Sequence, residues 1–483
     1  MTVRMTIAAA RDVTDGTLLP PGPAPGAPGT EQDPAPGVEL GSAFEGVSID
    51  SRKVEPGQAF VAIAGDRFDG HTFLAQAVER GATLLVVQRP PGELPPGAAV
   101  LRVPDTRIAL GRLAESWRRE VDPATVAITG SVGKTTTKEL TCVLLAELGQ
   151  THCTPGNFNN DIGLPLTLLA MPRATRYLVA EMGMNAPGEI EYLTPLTRPD
   201  VGVVTCVAPV HLQGLGTLEA VGRAKGELLR GLSPRAWAVV PGAERLLDSS
   251  LANVAPDRRV RFGVDRTDEV RIVETLSQGS RGLQVHLALG GSEVTFQLPL
   301  VGVHNARNAA AAAAAALCLG LEVGRIGQAL GGMDPARLVH RSNIRRIGPW
   351  YVLDDCYNAN PLATRAALDT LVQLAGDAPG VAVLGEMLEL GAEAGRYHTE
   401  VGAHAAGVGL QLLVAVGPLG QAIADGALEQ GMPAEGVVHV DRPEEAADLL
   451  WDRARCPGTW VLVKGSRGAR LERVIDLLSA GRP

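Results

Sequence analysis

The hydrophobic pattern changes character several times along the chain, and each change predicts a different element. Phe73–Gly81 has helical spacing and is followed by ATLLVVQ (Ala82–Gln88), an apolar run of strand length. A second helix is expected over Ile108–Glu120. TVAIT (Thr125–Thr129), YLVAEMG (Tyr177–Gly183) and VGVVTCVAP (Val201–Pro209) are then near-continuous apolar runs separated by helical or loop sequence. Strands of that kind are buried on both faces, so a doubly wound, parallel α/β sheet is predicted. Further on the period falls to two. Leu283, Val285, Leu287 and Leu289 alternate with polar or small residues, GGS makes a turn, and Val294, Phe296, Leu298 and Leu300 alternate back, which predicts an antiparallel hairpin. An Ala-rich helix follows His304.

From about Asp334 a third set of apolar runs appears: YVLDD, VAVLGEM, LLVAVG, GVVHV and WVLVKG. They end at Asp354, Glu386, Gly417, Asp441 and Lys464, and ligands of open α/β sheets sit at such carboxyl ends. The expected organisation is three α/β domains, over residues 1–106, 107–333 and 334–483. Residues 19–37 are a Pro/Gly/Ala tract that forms neither helix nor central strand and is expected to be an insertion in the first domain.

Composition narrows the class. With 483 residues, the chain is too long for one ordinary core. Its 45% hydrophobic and 20% charged residues exclude wholesale disorder. A net charge of −9 gives no general attraction to nucleic acid or an anionic membrane, so no nucleic-acid partner is expected. Only five of the 44 basic residues are lysine: Lys53, Lys134, Lys138, Lys225 and Lys464. In so Arg-rich a chain, a retained lysine invites a role for its compact amine. The six cysteines are scattered, without CxxC or a Cys/His cluster, which argues against a zinc site or disulfide framework and fits a reducing cytoplasm. Neither a signal peptide nor a membrane span is expected.

The strongest chemical signal is Gly130-Ser131-Val132-Gly133-Lys134-Thr135-Thr136, between a buried strand and a helix. Backbone N–H groups of such a turn cradle phosphate oxygens, the lysine pairs with the β/γ-phosphates, and Thr135 suits Mg²⁺. Ile128 stands where the first glycine of the usual pattern would be. Glu181 and His211 follow two strands of the same sheet, where a carboxylate and an imidazole could ligate Mg²⁺ beside the turn, and Lys225 lies in a helix further on.

TGSVGKTTTKEL, GNFNNDIGLPLTLL, EMGMNAPGEIEYL, HLQGLGTLEAVGRAKGEL, GVHNARNAAAA, DDCYNANP and VKGSRGARLERV together resemble the Mur ligase family, from about Val47 to Val474. GNFNNDIG, DDCYNANP and VKGSRG are closest to the member that adds D-alanyl-D-alanine. The resemblance implies a small N-terminal α/β domain for a uridine nucleotide, a central P-loop ATPase-like sheet with the hairpin, and a C-terminal Rossmann-like domain. The last would close over ATP and bind D-alanyl-D-alanine. The implied enzyme is a cytoplasmic, monomeric ligase of peptidoglycan synthesis. It would join D-alanyl-D-alanine to UDP-N-acetylmuramoyl-tripeptide, using ATP and Mg²⁺ through an acyl phosphate.

Carried onto matching positions, the resemblance makes Lys134, Glu181, His211 and Lys225 catalytic, and Thr135, Glu181 and His211 metal ligands. Lys225 matches the family lysine carbamylated by CO₂. Gly130 to Thr136, with Asn305 and Asn308 of the HNxxN-like stretch after His304, would bind ATP, joined by Arg337 and Asp355. Asp50, Ser51, Arg52, Asp69, Gly70 and His71 would form the uridine-diphosphate site. Asn157, Asn159, Asn160 and Asp161 either form Asx-turns or orient the substrate carboxylate. Asn358 and Asn360 would serve the dipeptide or the nucleotide. The alternatives are a third-residue-adding or folate-polyglutamylating ligase, disfavoured by DDCYNANP and VKGSRG, and a non-catalytic nucleotide-binding scaffold. The joint presence of Lys134, Glu181, His211 and Lys225 counts against the scaffold.

Overall fold

The computed structural model describes residues 2–19, 41–65, 68–91 and 97–481, so the tract at 19–37 lies almost wholly outside the described residues. The chain divides into two compact units. One comprises residues 1–127, 149–184 and 189–200, and the other residues 128–148, 185–188 and 201–483.

In the first unit a five-stranded sheet runs, in spatial order, Thr17–Leu18, Ala99–Arg102, Leu84–Val87, Ala59–Val61 and Val47–Ser48. Only the Thr17–Leu18 edge is antiparallel. Phe60, Ala62, Leu85, Val87 and Val100 turn towards one core, which the helix Leu74–Glu79 covers through Leu74 and Ala77. The segment expected as one helix over Phe73–Gly81 begins instead as a 3₁₀ turn, Gly70–Phe73. The helix expected over Ile108–Glu120 spans Thr106–Val121, because Asp105 caps it by accepting from the Arg107 and Ile108 amides. Strands Thr151–Cys153 and Tyr177–Glu181 pair in parallel in this unit.

In the second unit Val201–Val204, Trp237–Pro241, Arg259–Gly263 and Val270–Ser277 form a parallel run. The expected hairpin, Leu283–Leu289 with Ser292–Leu298, adds to it antiparallel, so its first strand has a partner that periodicity did not reveal. Gly290 and Gly291, at φ 57° and 97°, make the two-residue turn whose twist suits a hairpin. The strand Ala124–Thr129 has residues on both sides of the division. The helix His304–Cys318 carries Ala309–Ala316, all buried. Methyl side chains let it bury every face, which explains its lack of an amphipathic stripe.

A six-stranded sheet completes the unit, in the order Asn343–Ile347, Trp350–Asp354, Trp460–Lys464, Gly380–Gly385, Leu412–Val416 and Val437–Val440. Leu353, Ala382, Leu384, Leu413 and Leu462 enter one core. Val352, Val381, Val383, Val414 and Val461 enter another on the opposite face. Both faces are covered, so these strands read as continuous apolar runs. The antiparallel edge strand Asn343–Ile347 is too polar to have been expected.

Cys206, Cys318, Cys356 and Cys456 are free thiols. Cys142 and Cys153 are disulfide-bonded, which corrects the expectation drawn from scattered spacing. Among the described residues no helix is long and apolar enough to cross a membrane.

Candidate active site

The glycine-rich turn leaves the strand at Thr129 and enters the helix Lys134–Ala146. Two contacts explain why glycine occupies its bends. A Cβ on Gly130 would lie 1.9 Å from Thr205 Oγ1, and one on Gly133, at φ 83°, 2.2 Å from Asn308 Oδ1. The turn is clamped elsewhere as well. Thr205 Oγ1 donates to the Val132 carbonyl at 2.5 Å, and Ser131 Oγ donates to the Ala208 carbonyl at 3.1 Å while accepting from its amide at 2.9 Å. Lys134 Nζ folds back onto the Gly130 carbonyl at 2.8 Å.

Asn308 reaches the turn from the Ala-rich helix. Its Nδ2 donates to Asn305 Oδ1 at 2.8 Å, and Asn305 Nδ2 donates to the Val301 carbonyl at 2.7 Å. Both asparagines are buried. Beside them, His304 Nδ1 is buried without a hydrogen-bond partner, and burial pushes its imidazole towards the neutral form.

Arg337 donates from Nε to Glu139 Oε2 at 2.9 Å. Glu139 lies on the helix that starts at Lys134, so the arginine expected to join the ATP site is paired close to the turn, and Lys138 shares the same carboxylate. Asp355 accepts from the Ser342 amide at 3.0 Å and from Lys464 Nζ at 2.5 Å. Lys464 also donates to the Asn358 carbonyl at 3.0 Å. Asn360 caps the helix Pro361–Ala375, its Oδ1 accepting from the Ala363 amide at 2.9 Å. Asn358 Oδ1 accepts from the Ala359 amide.

His211 takes a left-handed φ of 54° before the short helix Leu212–Leu215. Its Nδ1 donates to Glu389 Oε2 at 2.5 Å, which leaves Nε2 for a ligand. That imidazole holds the Glu389 carboxyl below the ordinary glutamate range. Lys225 ends the helix Leu218–Lys225 and is fully buried, so it is no surface lysine.

In the first unit, Glu181 is buried at the end of its strand. Oε1 accepts from Asn159 Nδ2 at 2.8 Å, while Oε2 is buried with no hydrogen-bond partner. The GNFNNDIG loop divides its labour: Asn159 orients Glu181, and Asn160 Oδ1 accepts from the Gly163 amide at 2.8 Å. Asp161 pairs with Arg107 at 3.0 Å, and Asn157 is exposed.

Asp50 chelates the exposed Arg52 through Nε and Nη2, both at 2.9 Å, and this pairing holds its carboxyl down at about 2. Ser51 Oγ donates to Gln76 Oε1 at 2.6 Å. His71 Nε2 accepts from the Gln88 amide at 2.9 Å, so Nδ1 carries the proton that it donates to Asp69 at 2.7 Å. Gly70 sits so close to Ala62 and Ile63 that a Cβ would lie 2.9 Å from their backbone.

Three family models match the chain: Mur ligase family, catalytic domain, over residues 43–118; Mur ligase middle domain over 128–316; and Mur ligase, glutamate ligase domain, over 340–467. It is 37% identical to the UDP-N-acetylmuramoyl-tripeptide–D-alanyl-D-alanine ligase of Escherichia coli, covering 90% of this chain and 94% of that one. The chain belongs to the Mur ligase family. The ligase of the same name from Bacillus subtilis is 35% identical over 91% of this chain and 94% of its own length. Among solved Mur ligase structures, MurF from Acinetobacter baumannii superimposes with a TM-score of 0.86 at 31% identity, over 99% of both chains. MurF from Thermotoga maritima in complex with ADP gives 0.78 at 28% identity, over 90% of this chain and 97% of that one.

In this Mur ligase the partners of several site residues carry no pairing signal in the sequence: Thr205 and Glu139 at the turn, Glu389 at His211, and Lys464 at Asp355. Glu139 was visible in TGSVGKTTTKEL and Lys464 in VKGSRG, yet neither motif says which residue each would meet.

Proposed function

We propose that this Mur ligase joins D-alanyl-D-alanine to UDP-N-acetylmuramoyl-tripeptide, converting ATP to ADP and phosphate. The observation that carries this reading is the clamped phosphate turn, in a chain 35–37% identical along nine-tenths of its length to ligases named for that reaction. On this reading residues 1–106 hold the uridine-nucleotide end, residues 107–333 hold ATP, and residues 334–483 close over it with the dipeptide. Asp50, Arg52, Asp69 and His71 face the diphosphate and uridine. The reaction belongs to the cytoplasm, where these soluble precursors are made.

Lys134 leaves the Gly130 carbonyl to meet the γ-phosphoryl group, and the N–H groups at the start of its helix hold the phosphates. The tripeptide carboxylate oxygen bonds to γ-phosphorus as the bond to ADP breaks. The dipeptide amine then attacks the acyl carbon, a C–N bond forms, phosphate leaves, and the ammonium proton passes to solvent. Two anions meet in the first step, so preorganised positive charge lowers its barrier most. Thr135, Glu181 and His211 fit Mg²⁺: a hydroxyl, a carboxylate with one buried, unsatisfied oxygen, and an imidazole whose Nε2 remains available. The ion would offset repulsion between the phosphates and the substrate carboxylate. The buried Lys225 amine would add to CO₂ with loss of one proton, giving a carbamate anion where a charged ammonium is costly.

The test is phosphate release by the purified chain with ATP, Mg²⁺ and each substrate in turn. Release should require both substrates and yield the pentapeptide by mass. ATP turnover that ignores the dipeptide, or that a folate and glutamate support instead, would overturn the reading.

A further inference from the structure

Three side chains with no part in the ligase chemistry above converge at the end of the strand Trp350–Asp354. His340 Nδ1 lies 2.8 Å from Asp354 Oδ2, and Cys356 Sγ lies 3.1 Å from Asp354 Oδ1 and 3.7 Å from His340 Nδ1. All three ligand atoms fall within 4.8 Å of one another. Asp354 and Cys356 are buried, whereas the His340 side chain keeps 29% of its surface exposed.

We propose that His340, Asp354 and Cys356 form a binding site for a thiophilic divalent cation of the zinc class. Donors around a tetrahedral zinc ion, bonded at about 2.0–2.3 Å, stand roughly 3.3–3.6 Å apart, and the observed separations bracket that spacing. One thiolate, one imidazole and one carboxylate suit Zn²⁺ or Co²⁺ and not Mg²⁺, which prefers oxygen. The scaffold is firm. Asn343 lies opposite Asp354 in the antiparallel register, the Tyr357 amide donates to the His340 carbonyl at 3.2 Å, and the Ser342 amide donates to Asp355 Oδ1 at 3.0 Å.

Arg345, 3.7 Å from Asp354 Oδ2 and 44% exposed, balances the carboxylate without the ion and is free to turn outwards. Binding forms the metal–sulfur bond as the thiol proton leaves for solvent. The exposed flank of His340 leaves a fourth position for water. Spacing along the chain concealed the cluster, because His340 and Cys356 stand 16 positions apart. The site is independent of the ligase reading.

Cobalt is the probe. Titration of the reduced, metal-free full chain should give one tightly bound Co²⁺ with a near-ultraviolet sulfur-to-cobalt charge-transfer band. One equivalent of Zn²⁺ should bleach that band, and excess Mg²⁺ should not. Cys356→Ser should abolish the band. His340→Gln, at a partly exposed side chain and thus safe for folding, should weaken Co²⁺ binding by more than about tenfold. A wild-type chain without the band overturns the proposal, as does a band that persists in Cys356→Ser, which would place the metal at another thiol such as the exposed Cys456. Unchanged Co²⁺ affinity in His340→Gln overturns it equally.

Discussion

Gly133→Ala isolates the contact between the glycine-rich turn and the Ala-rich helix. Gly133 has φ 83°, and a left-handed residue bearing a Cβ costs about 1–2 kcal/mol. The new methyl would also sit 2.2 Å from Asn308 Oδ1. Asn308 must therefore move, weakening its bonds to Asn305 at 2.8 Å and to Thr137 Oγ1 at 3.4 Å. At about 0.5–1.5 kcal/mol for a well-made bond and less for the long one, the expected total is about 2–4 kcal/mol. In an Asn308→Ala background the clash is absent and only the backbone cost of about 1–2 kcal/mol remains. A double-mutant cycle read by urea unfolding should thus show a coupling of about 1–2 kcal/mol between the two positions. Gly133→Ala should also weaken ADP binding, since the turn would no longer present its N–H groups together. Equal costs of Gly133→Ala in both backgrounds would refute the argument, because Asn308 could not then be what fills the space beside Gly133.

Lys225→Ala should be nearly inactive and partly rescued by formate or acetate, while Lys225→Arg should stay inactive; an active arginine variant would rule out the carbamate. Lys134→Ala should lose most turnover with little change in thermal unfolding, and a folded variant with near-normal turnover would contradict its role at the phosphates. Arg52→Ala should raise the KM for the uridine substrate far more than that for ATP. It should also let the Asp50 carboxyl rise from about 2 towards the ordinary aspartate range, read by NMR titration. The pairing with Asp50 is complete above that range and is lost as the pH falls through about 2. Asn360→Ala should destabilise the chain by about 1 kcal/mol through loss of a helix cap, measurable in urea unfolding.

Local pattern alone determined a good deal of this protein. Unbroken apolar runs marked the parallel strands, which are buried on both faces, and a two-residue period marked the hairpin, because successive side chains of a strand point to opposite faces. The strand–turn–helix order around the glycine-rich turn was legible because strand, glycines, lysine and helix lie within one short stretch of chain. The tertiary structure alone decided what each polar residue meets. Arg337 and Glu139 are 198 positions apart, and His211 and Glu389 are 178 apart. No local period encodes such pairs, since they exist only when packed elements bring two distant backbones to hydrogen-bonding range. Burial was decided in the same way. Motif and composition singled out Lys225, Asn160 and Asn360, but neither says how far each is buried or which backbone amide it meets. Only the packed chain buries Lys225, turns the Asn160 oxygen to the Gly163 amide and makes Asn360 a helix cap, because the free energy of a polar group depends on what replaces its water.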